Sequence, residues 1–269
     1  MQYEPIKRSL GRVFNNKPFF RIFFYKLLDF LLLRAWYIRR ELKETKKSIG
    51  KTASVLDAGS GFGQYTYFLS ALSEGWNITG IDIEEEQIKD CNIFFNKIGC
   101  SGRIKFDKAD LTQFVNPDKY DIIISVDVME HITDDVQVFK NFYQSLKTKG
   151  ILLISTPSDQ GGSDVHGDNE KSFISEHVRD GYSIAGIQEK LKTAGFSDVN
   201  IIYSYGIPGQ ISWKLSMKYP IALLNTSKLF FIILPIYYLI CFPFCLLLNY
   251  IDLELNLDGG TGLIVKAWK

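Results

Sequence analysis

A short apolar strand that runs directly into a glycine-rich turn constrains the fold of this chain more than any other feature. The segment is Val55–Gly63, VLDAGSGFG, in which three glycines occupy every second position. Glycines allow the backbone to turn sharply and to approach a ligand closely. The helix predicted to follow directs free N–H groups and its positive dipole end towards an anionic part of that ligand. The pattern therefore predicts a ligand site where the strand ends.

Strand and helix signals alternate along the middle of the chain. Helical patterns lie near residues 63–73, 86–98, 133–147 and 183–194. The predicted strands are Ser54–Asp57, Asn77–Ile83, Arg103–Ala109, Tyr120–Val128, Gly150–Ser155 and Val199–Tyr205, with one more in the final segment GTGLIVKAWK. Strands that alternate with helices indicate a parallel sheet covered on both faces.

Acidic residues mark the ends of three successive predicted strands. Asp57 lies two residues before the first glycine, Asp82 ends the second strand, and Asp110 follows the third. Gln64 stands where a dinucleotide fingerprint needs its third glycine, which disfavours NAD. A carboxylate at the tip of the second strand can accept hydrogen bonds from both ribose hydroxyls. Asp110 can accept one from the exocyclic amine of adenine. Each aspartate, taken alone, could instead cap a helix.

Five segments in this order resemble class I S-adenosylmethionine-dependent methyltransferases: DAGSGFG, GIDIEEEQI, KADL, YDIIISVDVMEHI and GILLISTPS. The DVMEHI stretch, and HVRDGYS followed by LKTAGF, resemble the branch that contains the ubiquinone and menaquinone methyltransferases. The resemblance covers about residues 50–207 and the last ten residues. It implies an α/β, Rossmann-like, seven-stranded, mostly parallel sheet with an antiparallel last strand, and S-adenosylmethionine as cofactor.

The resemblance also implies which residues hold the cofactor. The first glycine turn and its aspartate would surround the methionine part, Asp82 the ribose, and Asp110 with Leu111 the adenine. The end of the fourth strand would lie beside the transferred methyl group. The implied positions are Asp57, Ala58, Gly59, Gly61, Gly63, Asp82, Ile83, Asp110, Leu111, Val126, Asp127 and Val128.

Histidines supply the candidate catalytic bases. Methyl transfer from a sulfonium mainly requires alignment of nucleophile and methyl, but a hydroxyl acceptor also benefits from a general base. His131 follows the fourth strand directly, and His177 lies in a loop that can fold over the acceptor. His131 could instead cap the strand–helix turn, and His166 reads as an exposed loop residue. Asp134 and Asp135 read as the acidic first turn of a helix, so no metal is predicted.

Charge is distributed unevenly. The net charge is +1, yet residues 1–51 hold 13 Lys and Arg against 4 Asp and Glu, and the other 218 residues hold 18 against 26. This asymmetry suggests an anionic surface as partner. The acidic body disfavours nucleic acid. Four cysteines without paired spacing fit a reducing compartment.

Two regions fall outside the resemblance. Residues 1–50 form a basic arm with one long predicted helix from Pro18 to Lys47, which either packs across the body or lies in a membrane interface. On a helical wheel Arg34 lies off the polar side that is formed by Arg21, Lys26, Asp29, Arg39 and Arg40. Residues 208–258 contain an uncharged run at 229–251, which is long enough to span a membrane. The methyltransferase domain is then 51–207 with 259–269.

The position of the apolar run argues against a single crossing. The strands on either side of it should pair in one sheet, and the preceding segment, with Lys214, Lys218, Lys228 and Pro220, is a poor second span. Pro235 and Pro243 should break or kink a straight helix. We therefore predict a helical hairpin that dips into one leaflet. A buried cap or a dimer interface is the alternative.

Together these features predict a peripheral or monotopic methyltransferase on the cytoplasmic side of a membrane. Its acceptor would be a hydrophobic small molecule, lipid-like, quinone-like or polyene-like, that is methylated on oxygen. Two alternatives stay open: a soluble acceptor with the apolar segment as dimer interface, and a cofactor-binding membrane scaffold without catalysis. The sequence does not determine the oligomeric state.

Overall fold

The computed structural model describes residues 18–161, 178–227 and 230–269. The strands of the described chain are β1 Ala53–Ala58, β2 Trp76–Asp82, β3 Ile104–Lys108, β4 Tyr120–Val126, β5 Leu146–Pro157, β6 Asp198–Ser204 and β7 Gly262–Trp268. Its helices are α1 Pro18–Leu31, α2 Leu33–Ile49, α3 Gln64–Leu72, α4 Glu85–Lys97, α5 Asp135–Ser145, α6 Ile184–Ala194, α7 Ile207–Trp213, α8 Tyr219–Thr226 and α9 Phe230–Glu254. A 3-10 turn covers Met129–His131, and a π-helical turn, Lys214–Lys218, joins α7 to α8.

All seven strands form one sheet in the order β3-β2-β1-β4-β5-β7-β6. The pairs among β1 to β5 are parallel, and β7 runs antiparallel to both of its neighbours. The predicted fold class is confirmed, and each strand lies within a few residues of its predicted position. The chain order reverses at β1, between β2 and β4, so the carboxyl end of β1 is where a ligand of such a sheet binds.

Successive residues of the central strand β1 face opposite cores. Val55 packs into one apolar layer with Tyr37 of α2, and Leu56 packs into the other with Phe139 of α5. Both strand residues are fully buried. Burial of such a side chain contributes about 1.5–3 kcal/mol. The two layers explain why the strand reads as a continuous apolar run, and they hold the turn after β1 in a fixed position.

The predicted single N-terminal helix is wrong, because the helix is interrupted at Leu32. This residue has extended backbone dihedrals, φ −95° and ψ 114°, between α1 and α2. The Trp36 indole donates to the carbonyl of Phe30, an acceptor near the interruption. Leu32 and Leu33 are buried, so tertiary packing overrides a local pattern that favours an unbroken helix.

Residues 207–227 and 230–254 form a helical hairpin between β6 and β7. Ser212 donates to the carbonyl of Cys245, and the Tyr238 hydroxyl donates to the carbonyl of Ser216. These pairs show that α7 and the π turn run antiparallel to α9. Contrary to the prediction, α9 continues without interruption through Pro235 and Pro243. Within the described residues α9 contains the one stretch, Ile232–Glu254, that is long and apolar enough to cross a membrane.

Candidate functional site

The glycine turn after β1 is folded tightly against the end of β2. The backbone N–H groups of Gly59 and Ser60 both donate to the carbonyl of Ile81, at 2.8 and 2.9 Å. Gly59 has φ +79°, and a Cβ atom there would lie 2.3 Å from the Val128 side chain. Only glycine therefore fits. Gly63, with φ +82°, is the N-cap of α3, whose free N–H groups point towards the carboxyl edge of the sheet.

Asp57 is a buried carboxylate directly beneath this turn. The Thr66 hydroxyl donates to its Oδ2 at 2.6 Å. Burial raises the pKa of Asp57 to about 7, the nearby charge of Asp82 adds to the shift, and the Thr66 hydrogen bond opposes it. A cationic ligand group beside Asp57 would favour its ionised form.

Asp82 connects the turn to the next helix. Its Oδ2 accepts the N–H of Gly61 at 2.8 Å, and its Oδ1 accepts the N–H of Glu84 at 3.0 Å. A carboxylate has about four acceptor sites, so capacity remains for two ligand hydroxyls. The next side chain, Ile83, is apolar and yet 63% exposed. A carboxylate for ribose hydroxyls beside an uncovered apolar surface for a base fits the nucleoside of S-adenosylmethionine.

The loop after β3 brings Asp110 to the same edge. Its Oδ1 accepts both the N–H and the hydroxyl of Thr112, at 2.9 and 2.8 Å, so Asp110 does cap a local turn. The Asn141 side chain donates to the carbonyls of Leu111 and Thr112 and fixes the loop. Leu111 is buried. The N–H of Ala109 donates to the carbonyl of Asp82, which places the second and third strand ends side by side.

Asp127, at the end of β4, has φ +54°, a left-handed conformation that is uncommon outside glycine. Its N–H donates to the carbonyl of Ser155 on β5. Its carboxylate lies 2.9 Å from the guanidinium of Arg34. Such strained residues cluster at functional sites, where the surrounding structure holds them.

Arg34 belongs to a polar group that sequence reasoning did not assign to the site. Its backbone N–H donates to the Tyr205 hydroxyl at 3.2 Å, and Tyr205 follows β6 with φ +55°. Burial raises the pKa of Tyr205 and of Tyr65, and the positive charge of Arg34 opposes both shifts. On the helical wheel Arg34 lies off the polar side of the predicted helix. This unusual position was the sequence signal that could have identified Arg34 as a site residue.

Glu130 is a second residue that sequence reasoning did not assign to the site. It is 2% exposed, and the Thr156 hydroxyl donates to its Oε2 at 3.2 Å. Burial, with the nearby charge of Asp127, raises the pKa of Glu130 to about 8. The neighbouring His131 ends the 3-10 turn and has an exposed side chain. His166 and His177 lie outside the described residues.

The acidic pair that begins α5 is structural, as its sequence position suggested. Asp134 accepts the N–H of Gln137 and caps the helix. Asp135 is buried and pairs with Arg179 and Lys190. Among residues 18–161, 178–227 and 230–269, no three His, Cys, Asp or Glu side chains are grouped closely enough to hold a metal ion.

Comparison with known proteins gives consistent family matches. A family model described as a methyltransferase domain matches residues 49–202. Phosphoethanolamine N-methyltransferase 1 of Zea mays is 32% identical over 146 residues, which is 54% of this chain and 28% of that protein. Ubiquinone biosynthesis O-methyltransferase of Rickettsia prowazekii (strain Madrid E) is 31% identical over 124 residues, 46% of this chain and 47% of that protein. The chain thus spans less than half of either relative.

Two solved structures share the fold. Phosphoethanolamine N-methyltransferase 2 of Haemonchus contortus, in complex with S-adenosyl-L-methionine, aligns with a TM-score of 0.65 and 19% identity, over 92% of this chain and 56% of that chain. The [4+2]-cyclase SpnF aligns with a TM-score of 0.57 and 17% identity, over 86% of this chain and 81% of that chain. Two neighbours with different named activities show that the fold does not determine the reaction or its substrate.

Proposed function

Because this chain belongs to the class I S-adenosylmethionine-dependent methyltransferase family, we propose that it is a membrane-associated enzyme that methylates a hydroxyl oxygen of an apolar small molecule. The acceptor is lipid-like, quinone-like or polyene-like. The observation that carries this proposal is the position of the apolar hairpin, which begins at Ile207, two residues after Tyr205 of the polar group around Arg34.

The proposed cofactor site is the carboxyl edge of β1 to β4. The glycine turn and Asp57 hold the methionine part, Asp82 the ribose, Ile83 and Leu111 the adenine together with Asp110, and Val128 the region beside the sulfonium. S-adenosylmethionine supplies an activated methyl group when it is bound, so the protein's own contribution is to align the acceptor with it.

An exposed apolar surface supports membrane association. Along α9 large apolar side chains face outward, and 11% of its most apolar 18-residue window is buried. The exposed ones are Ile232, Ile233, Ile236, Leu239, Ile240, Phe244, Leu247, Tyr250 and Ile251. An apolar surface of this extent is typical of a membrane or protein contact.

Anchoring at the base of the hairpin favours a monotopic arrangement. Asp252, near the end of α9, accepts the Tyr37 hydroxyl at 2.8 Å and the backbone N–H groups of Gly209 and Tyr205 at 2.9 and 3.1 Å. The hairpin therefore leaves and rejoins the body at one place. A straight α9 of 25 residues is about 37 Å long, and upright insertion would carry the lysine-containing arm into the hydrocarbon as well. A hairpin that lies in one leaflet avoids this cost.

Arg34 supports oxygen as the nucleophile. An arginine beside the transfer position stabilises an oxyanion that develops on an acceptor hydroxyl, and it disfavours a cationic amine. As the O–CH3 bond forms and the S–CH3 bond breaks, the hydroxyl proton must leave. Asp127 and His131 are described groups at the end of β4 that can accept it. Burial raises the pKa of Glu130, which favours its protonated form and makes it a poorer acceptor.

Asp127 also supports a second candidate, an amine acceptor. A carboxylate at the end of β4 can hold an ammonium group, and the Zea mays relative is named for N-methylation of phosphoethanolamine. The two candidates predict different products, a methyl ether in one case and a methylamine in the other.

Labelled-methyl transfer tests the proposal. Detergent-purified protein is incubated with radiolabelled S-adenosylmethionine and a total membrane extract of its host, and the products are partitioned between organic and aqueous phases. Label in the organic phase, absent with an Asp57→Asn variant, is the expected result, and mass spectrometry of the labelled product then distinguishes oxygen from nitrogen. Label confined to the aqueous phase would contradict an apolar acceptor. Cofactor binding with no label in either phase would contradict an acceptor in the host membrane and leave a missing acceptor or a non-catalytic scaffold.

A further inference from the structure

Helix α1 has two chemically different faces, and their orientation is the reverse of that in an ordinary surface helix. The polar residues Arg21, Tyr25 and Asp29 follow one another at intervals of four and face the body of the protein, whereas Lys26 is exposed. Arg21 is only 4% exposed. The exposed residues of α1 include Phe19, Phe20, Phe23, Leu27 and Phe30. The sequence placed Arg21 on a polar side of the helix and left open whether the helix packs across the body, and the structure shows Arg21 turned inward.

The inner face of α1 holds the glycine turn of the cofactor site. Arg21 Nη2 donates to the carbonyl of Phe62 at 2.7 Å, and the Tyr25 hydroxyl donates to the same oxygen. Arg21 also donates to the carbonyl of Asp90 on α4 and lies 4.7 Å from the centre of the Phe94 ring. Phe62 lies between the second and third glycines of the turn, so α1 fixes the backbone at the centre of the cofactor site.

A second contact extends this connection to α3. The Gln64 side chain, at the first residue of α3, donates to Asp29 at 2.8 Å. The same carboxylate lies 3.1 Å from the Arg39 guanidinium of α2. Residues 62 and 64 are therefore both held by α1, on either side of Gly63. The N-terminus of α3, which faces the proposed ligand site, depends on where α1 lies.

The outer face of α1 continues into the apolar surface of the hairpin. The rings of Phe30 and Phe242 are 4.9 Å apart, which joins α1 to α9. We call the exposed apolar residues of α1 and α9 the apolar surface. It combines α1, whose phenylalanines are exposed on one face, with α9, which is long and apolar enough to cross a membrane. A lipid bilayer is the partner that suits both helices at once.

We propose that α1 couples membrane docking to cofactor binding: lipid contact on its phenylalanine face stabilises the helix whose polar face holds the Phe62 carbonyl, and so tightens the cofactor site. This inference rests on the membrane association proposed above. A 14-residue helix is marginal by itself in water, and contact with lipid favours its helical, docked state. The coupling is reciprocal, so the bound cofactor also strengthens membrane binding.

The test measures the dissociation constant of radiolabelled S-adenosylhomocysteine by equilibrium dialysis. The full chain is compared in amphipol and on vesicles of mixed phosphatidylcholine and phosphatidylglycerol, with co-sedimentation to verify vesicle binding. Binding on vesicles should be tighter by about fivefold or more. The double variant Phe19→Ser with Phe23→Ser should remove this gain in affinity, while α9 keeps the protein on the vesicles. Neither phenylalanine contacts the cofactor turn through any described hydrogen bond.

Two further variants distinguish the coupling from general effects. Leu239→Ser makes the same kind of change on α9, at a residue that is 78% exposed, and should leave the gain intact. Tyr25→Phe removes the hydroxyl that reaches Phe62 and should reduce the gain without loss of co-sedimentation. Equal affinity on and off vesicles, with the protein co-sedimenting, would overturn the coupling and leave the proposed function standing. Failure of the wild-type chain to co-sediment would overturn the coupling and membrane association together.

Discussion

The guanidinium of Arg34 lies 2.9 Å from the carboxylate of Asp127, and this ion pair joins the start of α2 to the end of β4. The two residues are 93 positions apart in sequence, and both side chains are about one-third exposed. The pair is a direct link between the N-terminal arm and the end of β4, where methyl transfer is proposed.

Replacement of Arg34 tests this pair. We expect Arg34→Gln to lower the rate of methyl transfer by about tenfold, because a charge-assisted hydrogen bond beside the acceptor is lost. Arg34→Lys should retain part of the activity, since lysine keeps the positive charge but lacks the planar guanidinium with its fixed N–H donors. The measurement is the initial rate of label transfer to the extract. Lys47→Gln breaks an exposed pair with Glu44 near the C-terminal end of α2 and serves as the control. An unchanged rate in Arg34→Gln would refute the role.

Protonation of Asp57 should control cofactor affinity. Its pKa is about 7 in the ligand-free protein, and a cationic ligand favours the ionised form. Affinity for S-adenosylmethionine should therefore rise with pH, by about tenfold between pH 6 and pH 8. Calorimetric titration across this range measures the effect. Asp57→Asn supplies the baseline, which includes any titration of the ligand itself, and a wild-type profile that coincides with this baseline would contradict the prediction.

Gly59 has no room for a side chain, so replacement by alanine should strongly affect stability and cofactor binding. Gly59→Ala combines a left-handed φ with a 2.3 Å contact to Val128, so we expect it to destabilise the fold by about 2–3 kcal/mol and to abolish cofactor binding. Gly99→Ala is the matched control, because Gly99 has φ +75° and open space around it, and should cost about 1 kcal/mol. Urea unfolding measures both variants. Equal losses of unfolding free energy in the two variants would show that the contact with Val128 contributes nothing to the destabilisation.

Glu130 should make the stability of the fold depend on pH. Its pKa is about 8 in the folded chain and about 4.3 when unfolded, so the folded state binds more protons between these values. The free energy of unfolding should therefore fall as pH rises through this window, by at most about 1.4 kcal/mol per pH unit from this group. Urea unfolding at pH 6 and pH 9 measures the difference. Glu130→Gln should reduce it, and an identical pH dependence in the variant would refute the assignment.

Local sequence patterns were enough to predict most of the sheet and the part of the site formed by the glycine turn and the aspartates. The apolar strands, the glycine turn and the aspartates near the ends of β1, β2 and β3 were all predicted, because each depends on a few adjacent residues and on the geometry of parallel strands. Glycine in a left-handed turn and a carboxylate at a strand end have local physical causes. These features therefore need no knowledge of distant contacts.

Tertiary structure decided the rest. Helical periodicity predicted one long N-terminal helix and could not show that burial of Leu32 interrupts it. Periodicity also identifies a polar face but not what that face meets, so the inward turn of Arg21 was not predictable. Arg34 and Glu130 acquire their roles from Asp127, Tyr205 and Thr156, which the fold assembles from separate strand ends. The sequence by itself determined the strands, the glycine turn and the aspartates near the strand ends, because each has a local physical cause. The tertiary structure decided which charges are buried and paired, because burial and charge pairing depend on groups that are far apart along the chain.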